Sequence, residues 1–291
     1  MKELTIAEFK KILPTICDRE TAMDAKLWTR KNPLWSHCAV VSLVAQNFFG
    51  GELRRASLLE VPEFKRMGSH YWNKLPDGSD EDFTRPQFGA NYPSGLQAET
   101  RERSYLLSHP ETVKRYKLLA FRLAQALNSD NNLFDDQIFQ KCFDAALDSS
   151  CQKMKFGCVI MHDGKIVYSG CNKIIEPLRS MCEPKCIRFS IPSRTESMIG
   201  ACGHAEELAL WDVVQQGIPL RECELYLVGL YANGLPWLRQ EAEHTCLRCS
   251  VQMYYARLKK IYITVSDHWA GITPEQALTS ARLYAMGEKT V

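Results

Sequence analysis

The sequence predicts an α/β protein of two domains, and three observations support this fold class. The chain has 291 residues, which is long for one compact domain and comfortable for two. The polar, turn-forming stretch LNSDNNLFDD (127–136) separates two helix-like segments and is the best candidate for a linker. Beyond residue 155, short β-branched runs alternate with helical patterns, which predicts an α/β sandwich with a partly parallel sheet. We therefore expect a small α+β domain at 1–127 and an α/β domain at 133–291.

The composition is that of a globular protein with a sizeable core, since 45% of the residues are hydrophobic and 24% are charged. No apolar run approaches the ~20 residues that a membrane-spanning helix needs. The opening MKELTIAEFKK lacks the apolar stretch of a secretory signal. We expect a cytoplasmic protein without a membrane partner, whose twelve cysteines stay reduced and serve in metal binding, catalysis or the core.

The two halves differ in charge. Residues 1–127 carry 19 Lys and Arg against 15 Asp and Glu, whereas residues 128–291 carry 17 against 19. A domain that binds the phosphate backbone of a nucleic acid usually has more Lys and Arg than Asp and Glu. We therefore expect the second domain to act on a small molecule and not on nucleic acid.

The first domain is predicted from three patterns. LWSHCAVVSLVAQNFFGG places Cys38 at the start of an apolar helix that ends at Gly-Gly. GSHYWNKLPDGSDEDFTRPQF reads as a hairpin, with His70 on one strand and acidic residues, including Asp82, on the next. Apolar residues at helical spacing predict a helix over 112–127.

The second domain is predicted from hydrophobic periodicity and turn signals. Asp163-Gly164 joins two short apolar runs and is a strong hairpin signal. The other expected elements are helices at 136–150, over HAEELALWDVVQQG and TCLRCSVQMYYARLKK, and at 273–286, and strands at 223–231 and 261–265.

The helix that begins near residue 204 has a predicted inner and outer face. We expect Leu208, Trp211 and Val214 to form its packing face, because they recur at helical spacing. Glu207 is expected to lie in solvent.

Two predicted helix starts carry metal-binding side chains. The first offers His204 and Glu206, and the second offers Cys246 and Cys249 in a C-x-x-C spacing that places both sulfurs on one side of a helix. One imidazole and two thiolates leave the fourth tetrahedral position of Zn²⁺ open, as in catalytic zinc sites. Glu206 is expected to carry protons and not to bind the metal.

H-A-E followed by C-x-x-C at two helix starts, with strands between them, resembles the zinc-dependent cytidine and deoxycytidylate deaminase superfamily over residues 136–291. The resemblance implies a three-layer α-β-α fold, hydrolytic deamination and an oligomer. It assigns zinc to His204, Cys246 and Cys249 and the proton shuttle to Glu206. It also implies that Asn172 touches the sugar or base of the substrate, although a turn asparagine is the alternative.

The sequence departs from the family pattern beside the C-x-x-C. Thr245 stands where the family usually has proline, and the segment 233–245 lengthens the path to Cys246. We expect an altered pocket rim, and His244 is a competing metal ligand in principle.

A long insertion at 174–203 contains further cysteines. Cys182 and Cys186 resemble half a zinc site, which Cys171 and Cys202 are available to complete. A reduced, partly buried cysteine-rich loop is the alternative to a second, structural zinc.

The same insertion contains two arginines, Arg188 and Arg194, that are candidates for binding a substrate phosphate. Solvated loop charges are the alternative.

The chain order Cys38, His70, Asp82 resembles that of papain-like and transglutaminase-like folds, in which the imidazole activates the thiol and the carboxylate orients the imidazole. The domain also resembles the small bacterial YunG-like proteins. A two-residue turn at Asp77-Gly78 would put Asp82 on the face opposite His70, whereas a three-residue loop at 76–78 would put both on one face. A binding or structural module with a merely buried Cys38 is the alternative.

The leading functional hypothesis is a zinc-dependent hydrolytic deaminase acting on a cytosine-type nucleoside or nucleotide. Within the same fold, a purine base or single-stranded nucleic acid is the alternative substrate. A cysteine hydrolase or transferase acting through Cys38 with a regulatory deaminase domain, and a pair of nucleotide-binding modules, are hypotheses from other classes.

Overall fold

The computed structural model of the chain describes residues 4–191, 199–239 and 245–287. The chain folds into two compact units, Met1–Ser129 and Asp130–Val291. Within the described ranges, no helix combines the length and the apolar character needed to cross a membrane.

The first unit is an α+β domain in which helices pack with an antiparallel sheet. Its elements in chain order are α1 (Ile6–Ile16), α2 (Cys38–Phe49), β1 (Glu52–Ser57), β2 (Ser69–Lys74), β3 (Asp80–Glu81), β4 (Ala98–Arg101), α3 (Arg103–Leu107) and α4 (Pro110–Leu127). The strand order is β3-β2-β1-β4. Helix α2 packs on β1 and β2 and against α4, so it lies between the sheet and the last helix of the unit.

The β2–β3 hairpin determines which side chains of the two strands share a face of the sheet. Asn73 pairs with Glu81 and Lys74 with Asp80, and the Leu75 N–H donates to the Ser79 carbonyl. Residues 76–78 therefore form a three-residue loop. Continued by one pair, this register sets Asp82 opposite Trp72, on the face that also carries His70.

The second unit is built on a mixed five-stranded sheet. Its elements in chain order are α5 (Gln137–Leu147), β5 (Met154–His162), β6 (Lys165–Cys171), β7 (Lys173–Ile174), β8 (Cys202–Gly203), α6 (Ala205–Gln215), β9 (Cys223–Tyr231), α7 (Leu247–Tyr255), β10 (Lys260–Val265), β11 (His268–Ile272) and α8 (Pro274–Ala285). The strand order is β11-β10-β9-β5-β6, with β9 and β10 parallel and the other pairs antiparallel. A small pair, β7 and β8, lies beside it.

Helices cover both faces of this sheet. Helix α5 packs on β5, β6 and β9. Its approach to the sheet depends on Gly157, because a Cβ atom there would lie 1.8 Å from the Cys142 carbonyl oxygen. The opposite face packs apolar side chains of β5, β9 and β10 against α6, α7 and α8. This arrangement confirms the predicted three-layer α-β-α fold.

Strand β11 is an element that the sequence analysis missed. It pairs antiparallel with β10 along His268–Ile272. The segment HWAGI lacks the alternation of apolar and polar residues that marks a strand, so periodicity gives no signal for it.

The packing face of α6 was predicted wrongly. Trp211 is 62% exposed and Val214 is 50% exposed, whereas Glu207 is buried. The side chains that α6 buries against the sheet are the smaller Ala205, Ala209, Leu210 and Val213. The buried apolar face of α6 therefore follows residues 205, 209, 210 and 213, whereas the predicted face followed residues 208, 211 and 214.

Candidate functional site

Two helix starts bring metal-binding side chains together. His204 is the N-cap residue of α6 and Cys246 is the N-cap residue of α7, both with extended backbone. Cys249 lies one turn into α7, on the same side of that helix as Cys246. The backbone N–H of Cys249 donates to Cys246 Sγ at 3.5 Å. The two sulfurs are thus held near one point.

The three side chains close around a common centre. Nδ1 of His204 lies 3.2 Å from Cys249 Sγ and 3.3 Å from Cys246 Sγ. All three ligand atoms lie within 4.8 Å of one another, and no other group of three such side chains closes this tightly in the described part of the chain. One imidazole nitrogen and two sulfurs fit Zn²⁺ and leave one tetrahedral position open.

The electrostatics of the cluster favour a thiolate at neutral pH. The hydrogen bond with Cys249 lowers the pKa of Cys246, and the contact with His204 lowers it further. Burial raises this pKa, and the net result is a pKa of about 4. Burial lowers the pKa of His204, but its hydrogen bond with Cys246 and the nearby negative charges outweigh burial and raise it. Because the imidazole must be neutral to bind a metal, metal and proton compete for His204.

Glu206 is a buried carboxyl group beside the ligands. Burial raises its pKa, and the negative charge of Cys246 raises it further. Glu206 lines the same cavity as His204 and Cys246. It therefore has the environment of an acid–base group, because its carboxyl group binds a proton more tightly than an exposed one does.

Glu207, the neighbouring carboxylate, was predicted to be solvated, and this prediction is wrong. Its side chain is 7% exposed and accepts hydrogen bonds from the His204 N–H, Arg248 Nε and Gln252 Nε2. A buried carboxylate needs such partners. Arg248 and Gln252 lie on α7, so Glu207 ties the two ligand-bearing helices together.

The cavity over these residues measures about 300 Å³, which is at the lower end of small-molecule sites. Apolar and aromatic side chains form one wall, including Phe156 and Trp237. Their ring centroids lie 6.1 Å apart at an interplanar angle of 78°. Such rings offer both an edge and a face to a flat heterocycle.

The comparison with known families agrees with this geometry. A model described as the cytidine and deoxycytidylate deaminase zinc-binding region matches residues 133–265. The match lies within the second unit, which is called the deaminase domain for this similarity. A model described as YunG protein matches residues 5–128, and the first unit is called the YunG domain for that similarity. A comparison with curated proteins finds no match.

The resemblances to the deaminase superfamily and to YunG-like proteins are therefore confirmed. A deaminase zinc-binding domain whose His204, Cys246 and Cys249 converge supports zinc-dependent deaminase chemistry in general. The family also favours a small-molecule substrate.

Asn172 lines the cavity of the deaminase domain, but protein groups already engage its amide. Its Oδ1 accepts from the Phe156 N–H at 2.8 Å and from Ser149 Oγ at 2.6 Å, and its Nδ2 donates to the Met154 carbonyl at 3.1 Å. The side chain thus closes the end of the β5–β6 hairpin. The same side chain also forms a hydrogen bond with Cys151.

The insertion places Arg188 at the cavity, where its guanidinium donates to the Ile199 carbonyl. Arg194 and His244 lie outside the described residues. Thr245 is buried at the cavity, and its Oγ1 lies 2.8 Å from Ser250 Oγ.

The sequence analysis missed Arg239, a buried cation that also lines the cavity. Its guanidinium lies 4.7 Å from the centroid of the Trp237 ring. Its backbone pairs with Val265 beside β10. The signal was present, because Arg239 belongs to the lengthened segment that was expected to change the pocket rim.

The structure brings three of the four cysteines predicted for a second zinc site, Cys182, Cys186 and Cys202, into mutual interaction. Cys202 interacts with Cys151, and Cys182 interacts with Cys186 and Cys202. The cluster therefore includes Cys151, which the sequence analysis did not single out. The predicted fourth member, Cys171, interacts with Tyr168 on its own strand. In the described residues, no three of these sulfurs close within 4.8 Å.

In the YunG domain, the structure brings the predicted Cys38, His70 and Asp82 together. His70 Nε2 lies 2.8 Å from Asp82 Oδ2. Burial lowers the pKa of His70, but the hydrogen bonds with Asp82 and Cys38 outweigh burial and raise it to about 9. The imidazole is thus flanked by a carboxylate and a thiol.

Proposed function

We propose that the protein is a zinc-dependent hydrolytic deaminase that acts on a cytosine-type nucleoside or nucleotide and releases ammonia. The observation that carries the proposal is the position of Glu206 in the cavity that His204 and Cys246 also line. A proton carrier beside an open metal position is what hydrolytic removal of an exocyclic amine requires.

His204, Cys246 and Cys249 would hold the zinc ion. Zinc bound in such a site lowers the pKa of water toward neutrality and so supplies a nucleophile. Glu206 accepts the proton that water loses, passes it to the ring nitrogen of the base, and then assists transfer to the departing amine. The reaction consumes water and an amino heterocycle, and it produces a carbonyl heterocycle and ammonia.

The walls of the cavity support a flat, polar substrate. Phe156 and Trp237 are placed to pack against a heterocyclic base. Arg239 and Arg188 bring positive charge to the same cavity, which favours a nucleotide over an uncharged nucleoside. A purine base and single-stranded nucleic acid remain alternative substrates.

Ammonia release from a panel of bases, nucleosides, nucleotides and oligonucleotides tests this proposal. We expect turnover with a cytosine-type nucleotide or nucleoside, and a loss of at least about 1,000-fold in kcat for Glu206→Gln. Glu275→Gln is the matched control, because Glu275 is an exposed carboxylate on α8. Full activity in Glu206→Gln, or zinc content unchanged in Cys246→Ser, would contradict the proposal.

We also propose a second, structural zinc ion at the cysteine cluster, held by Cys151, Cys182, Cys186 and Cys202. The interactions among these thiols and the burial of Cys182 and Cys186 support it. The sulfurs would move closer together on binding the ion, because no three of them lie within 4.8 Å of one another in the described residues. Metal analysis should then find two zinc ions per chain, falling to one in Cys182→Ser. One ion per chain in the wild type would contradict it. A cytoplasmic location, which reduced thiols favour, likewise stays a prediction.

We further propose that the chain forms a homo-oligomer through the outer side of α6 and α7. Trp211 on α6 and Tyr255 on α7 are large apolar side chains that are mostly exposed. Sedimentation analysis should show an assembly that Trp211→Ser weakens. A monomer at micromolar concentration would contradict this proposal.

A further inference from the structure

The YunG domain contains a buried polar cluster that the deaminase proposal does not use. Its centre is His70, which is fully buried on β2. Nε2 of the ring bonds to Asp82 Oδ2 at 2.8 Å. Cys38, the first residue of α2, interacts with the same ring. The imidazole of His70 therefore interacts with the thiol of Cys38 and with the carboxylate of Asp82.

A chain of hydrogen bonds holds the carboxylate in place. Asp82 Oδ1 accepts from the Thr84 N–H at 3.0 Å and from Thr84 Oγ1 at 3.1 Å. Gln87 Nε2 donates to Thr84 Oγ1 at 3.0 Å, and Gln87 Oε1 accepts from the Ser36 N–H at 3.2 Å. Since Ser36 lies two residues before Cys38, this chain links the turn that carries Asp82 to the loop that presents the thiol.

The cluster is costly for a purely structural core. Among the described residues, His70 Nδ1 and Ser36 Oγ are buried without a hydrogen bond of ordinary geometry, and buried polar atoms left in this way destabilise the fold. Ser36 also has a φ of 65°, which is unfavourable for a residue other than glycine. Unsatisfied polar atoms and backbone strain together are typical of functional sites.

The thiol sits where a nucleophile would be activated. Helix α2 has no side-chain N-cap hydrogen bond, so its first N–H groups and the positive end of its dipole lie at Cys38. The unpartnered Nδ1 is the ring atom left to accept the thiol proton, because Asp82 occupies Nε2. Catalytic hydrogen bonds in a free enzyme are often long or poorly aligned.

We propose that Cys38, His70 and Asp82 form a second active site, independent of the zinc centre, that transfers acyl groups through a thioester on Cys38. In the first step, Cys38 Sγ bonds to the carbonyl carbon of a carboxamide, ester or thioester. The bond from that carbon to the leaving group breaks, and His70 gives the thiol proton to the leaving amine, alcohol or thiol. In the second step, His70 takes a proton from water or an acceptor amine, which displaces the Cys38 thiolate and leaves the free acid or a new amide.

The site limits the substrate to a slender acyl donor. Cys38 is only 7% exposed, so a carbonyl group at the end of an extended chain can reach it more easily than one on a bulky core. His70 and Cys38 are the catalytic residues in this proposal, and Asp82 is a positioning residue that acts through the ring.

Several charged and titratable groups face the pair and set its pH dependence. Asp82 and Tyr92, which interact with one another, lie on the β3 side. Tyr71 on β2 and Arg115 on α4 interact with Cys38. Burial lowers the pKa of His70, but Asp82 and Cys38 raise it to about 9, so the ring takes up a proton readily.

The test is acylation of the full-length, zinc-loaded protein by p-nitrophenyl acetate, located by peptide mass spectrometry. We expect an acetyl adduct on Cys38 that forms at least about 10-fold faster than on Cys17, a buried thiol of the same domain. His70→Gln should abolish this selectivity. Asp82→Asn should slow the reaction and shift its pH profile, whereas Cys17→Ser should leave the Cys38 adduct unchanged.

The pH profile of the wild type keeps the test valid if a variant fails to fold. Alkylation of Cys38 by iodoacetamide should fall by less than about 10-fold per pH unit between pH 8 and pH 6 if His70 takes up the thiol proton. An ordinary thiol loses reactivity about 10-fold per pH unit below its pKa of ~8.5. A Cys38 that follows this ordinary profile, or that reacts no faster than Cys17, overturns the proposal.

Discussion

Glu207 on α6 accepts a hydrogen bond from Arg248 on α7 at 2.5 Å, and the pair lies directly beside the metal ligands. Glu207 also accepts from the backbone N–H of His204 at 3.1 Å, while Arg248 stands between the two cysteines of the C-x-x-C. Glu207 therefore links the imidazole ligand to the thiolate ligands, through Arg248 and also through Gln252.

Breaking this contact should loosen the metal site without removing a ligand. We expect Glu207→Gln to weaken zinc binding by about 10–100-fold, as observed for partners that orient metal ligands. Competition with a chromophoric chelator measures the change, and Glu275→Gln serves as the control. Wild-type zinc affinity in Glu207→Gln would mean that the helices hold the ligands without this pair.

The contact between α5 and the sheet should make Gly157 intolerant of any side chain. A Cβ atom there would lie 1.8 Å from the Cys142 carbonyl oxygen, which is backbone and cannot rotate away. We expect Gly157→Ala to destabilise the deaminase domain by about 1–3 kcal/mol or more, as overpacking does. Urea denaturation measures this change.

Gly170→Ala is the comparison for Gly157→Ala, because its nearest contact is the end of the Tyr168 side chain, which can move. We expect it to cost less than Gly157→Ala. Equal costs at the two positions would show that the approach of α5 is not what requires the glycine.

The two sides of α6 should respond differently to truncation. Leu210 is buried, so Leu210→Ala should cost about 2–5 kcal/mol. Trp211→Ser should change the unfolding free energy of the monomer by less than about 0.5 kcal/mol, because its side chain is mostly exposed. Denaturation at low protein concentration measures both changes. A larger loss of stability in Trp211→Ser than in Leu210→Ala would support the packing face that was predicted from periodicity.

The YunG domain should lose stability in alkaline solution through His70. Burial lowers the pKa of this ring, but Asp82 and Cys38 raise it to about 9, above its ordinary value of 6.5. The folded state therefore binds the proton more tightly than the unfolded state. The resulting stabilisation is complete below about pH 6.5 and disappears as the pH rises through about 9.

Calorimetry at pH 7 and pH 9.5 measures this loss as a lower melting temperature, by roughly 5 °C or more. Asp82→Asn removes the partner that raises the pKa of His70, so its melting temperature should depend less on pH over this interval. The same pH dependence in both proteins would assign the effect to other groups.

Local patterns were sufficient to predict most of the fold. The Asp163-Gly164 hairpin forms as expected, with both residues at positive φ, and the three metal-binding side chains converge from two short motifs. The hairpin depends on residues a few positions apart, where spacing decides geometry directly. The approach of His204 to Cys246, 42 residues later, was expected from the resemblance to the deaminase superfamily.

Features that depend on distant partners could not be predicted in this way. Glu207 is buried because Arg248, 41 residues later, neutralises it. Cys151 joins a cluster whose other members lie in the insertion. The lengthened segment 233–245 indicated a changed pocket rim, but it did not indicate that Arg239 would line the cavity. Only tertiary packing brings such pairs together, so hydropathy assigns charged and isolated residues to the surface by default.

The three-residue loop at 76–78 makes the length of one hairpin a marker for the chemistry of the whole domain. Adding or removing one residue there would turn Asp82 to the far side of the sheet while leaving every motif letter in place. When other chains with this pattern are compared, counting the residues between the histidine and the aspartate should therefore separate those able to pair them from those that merely contain both.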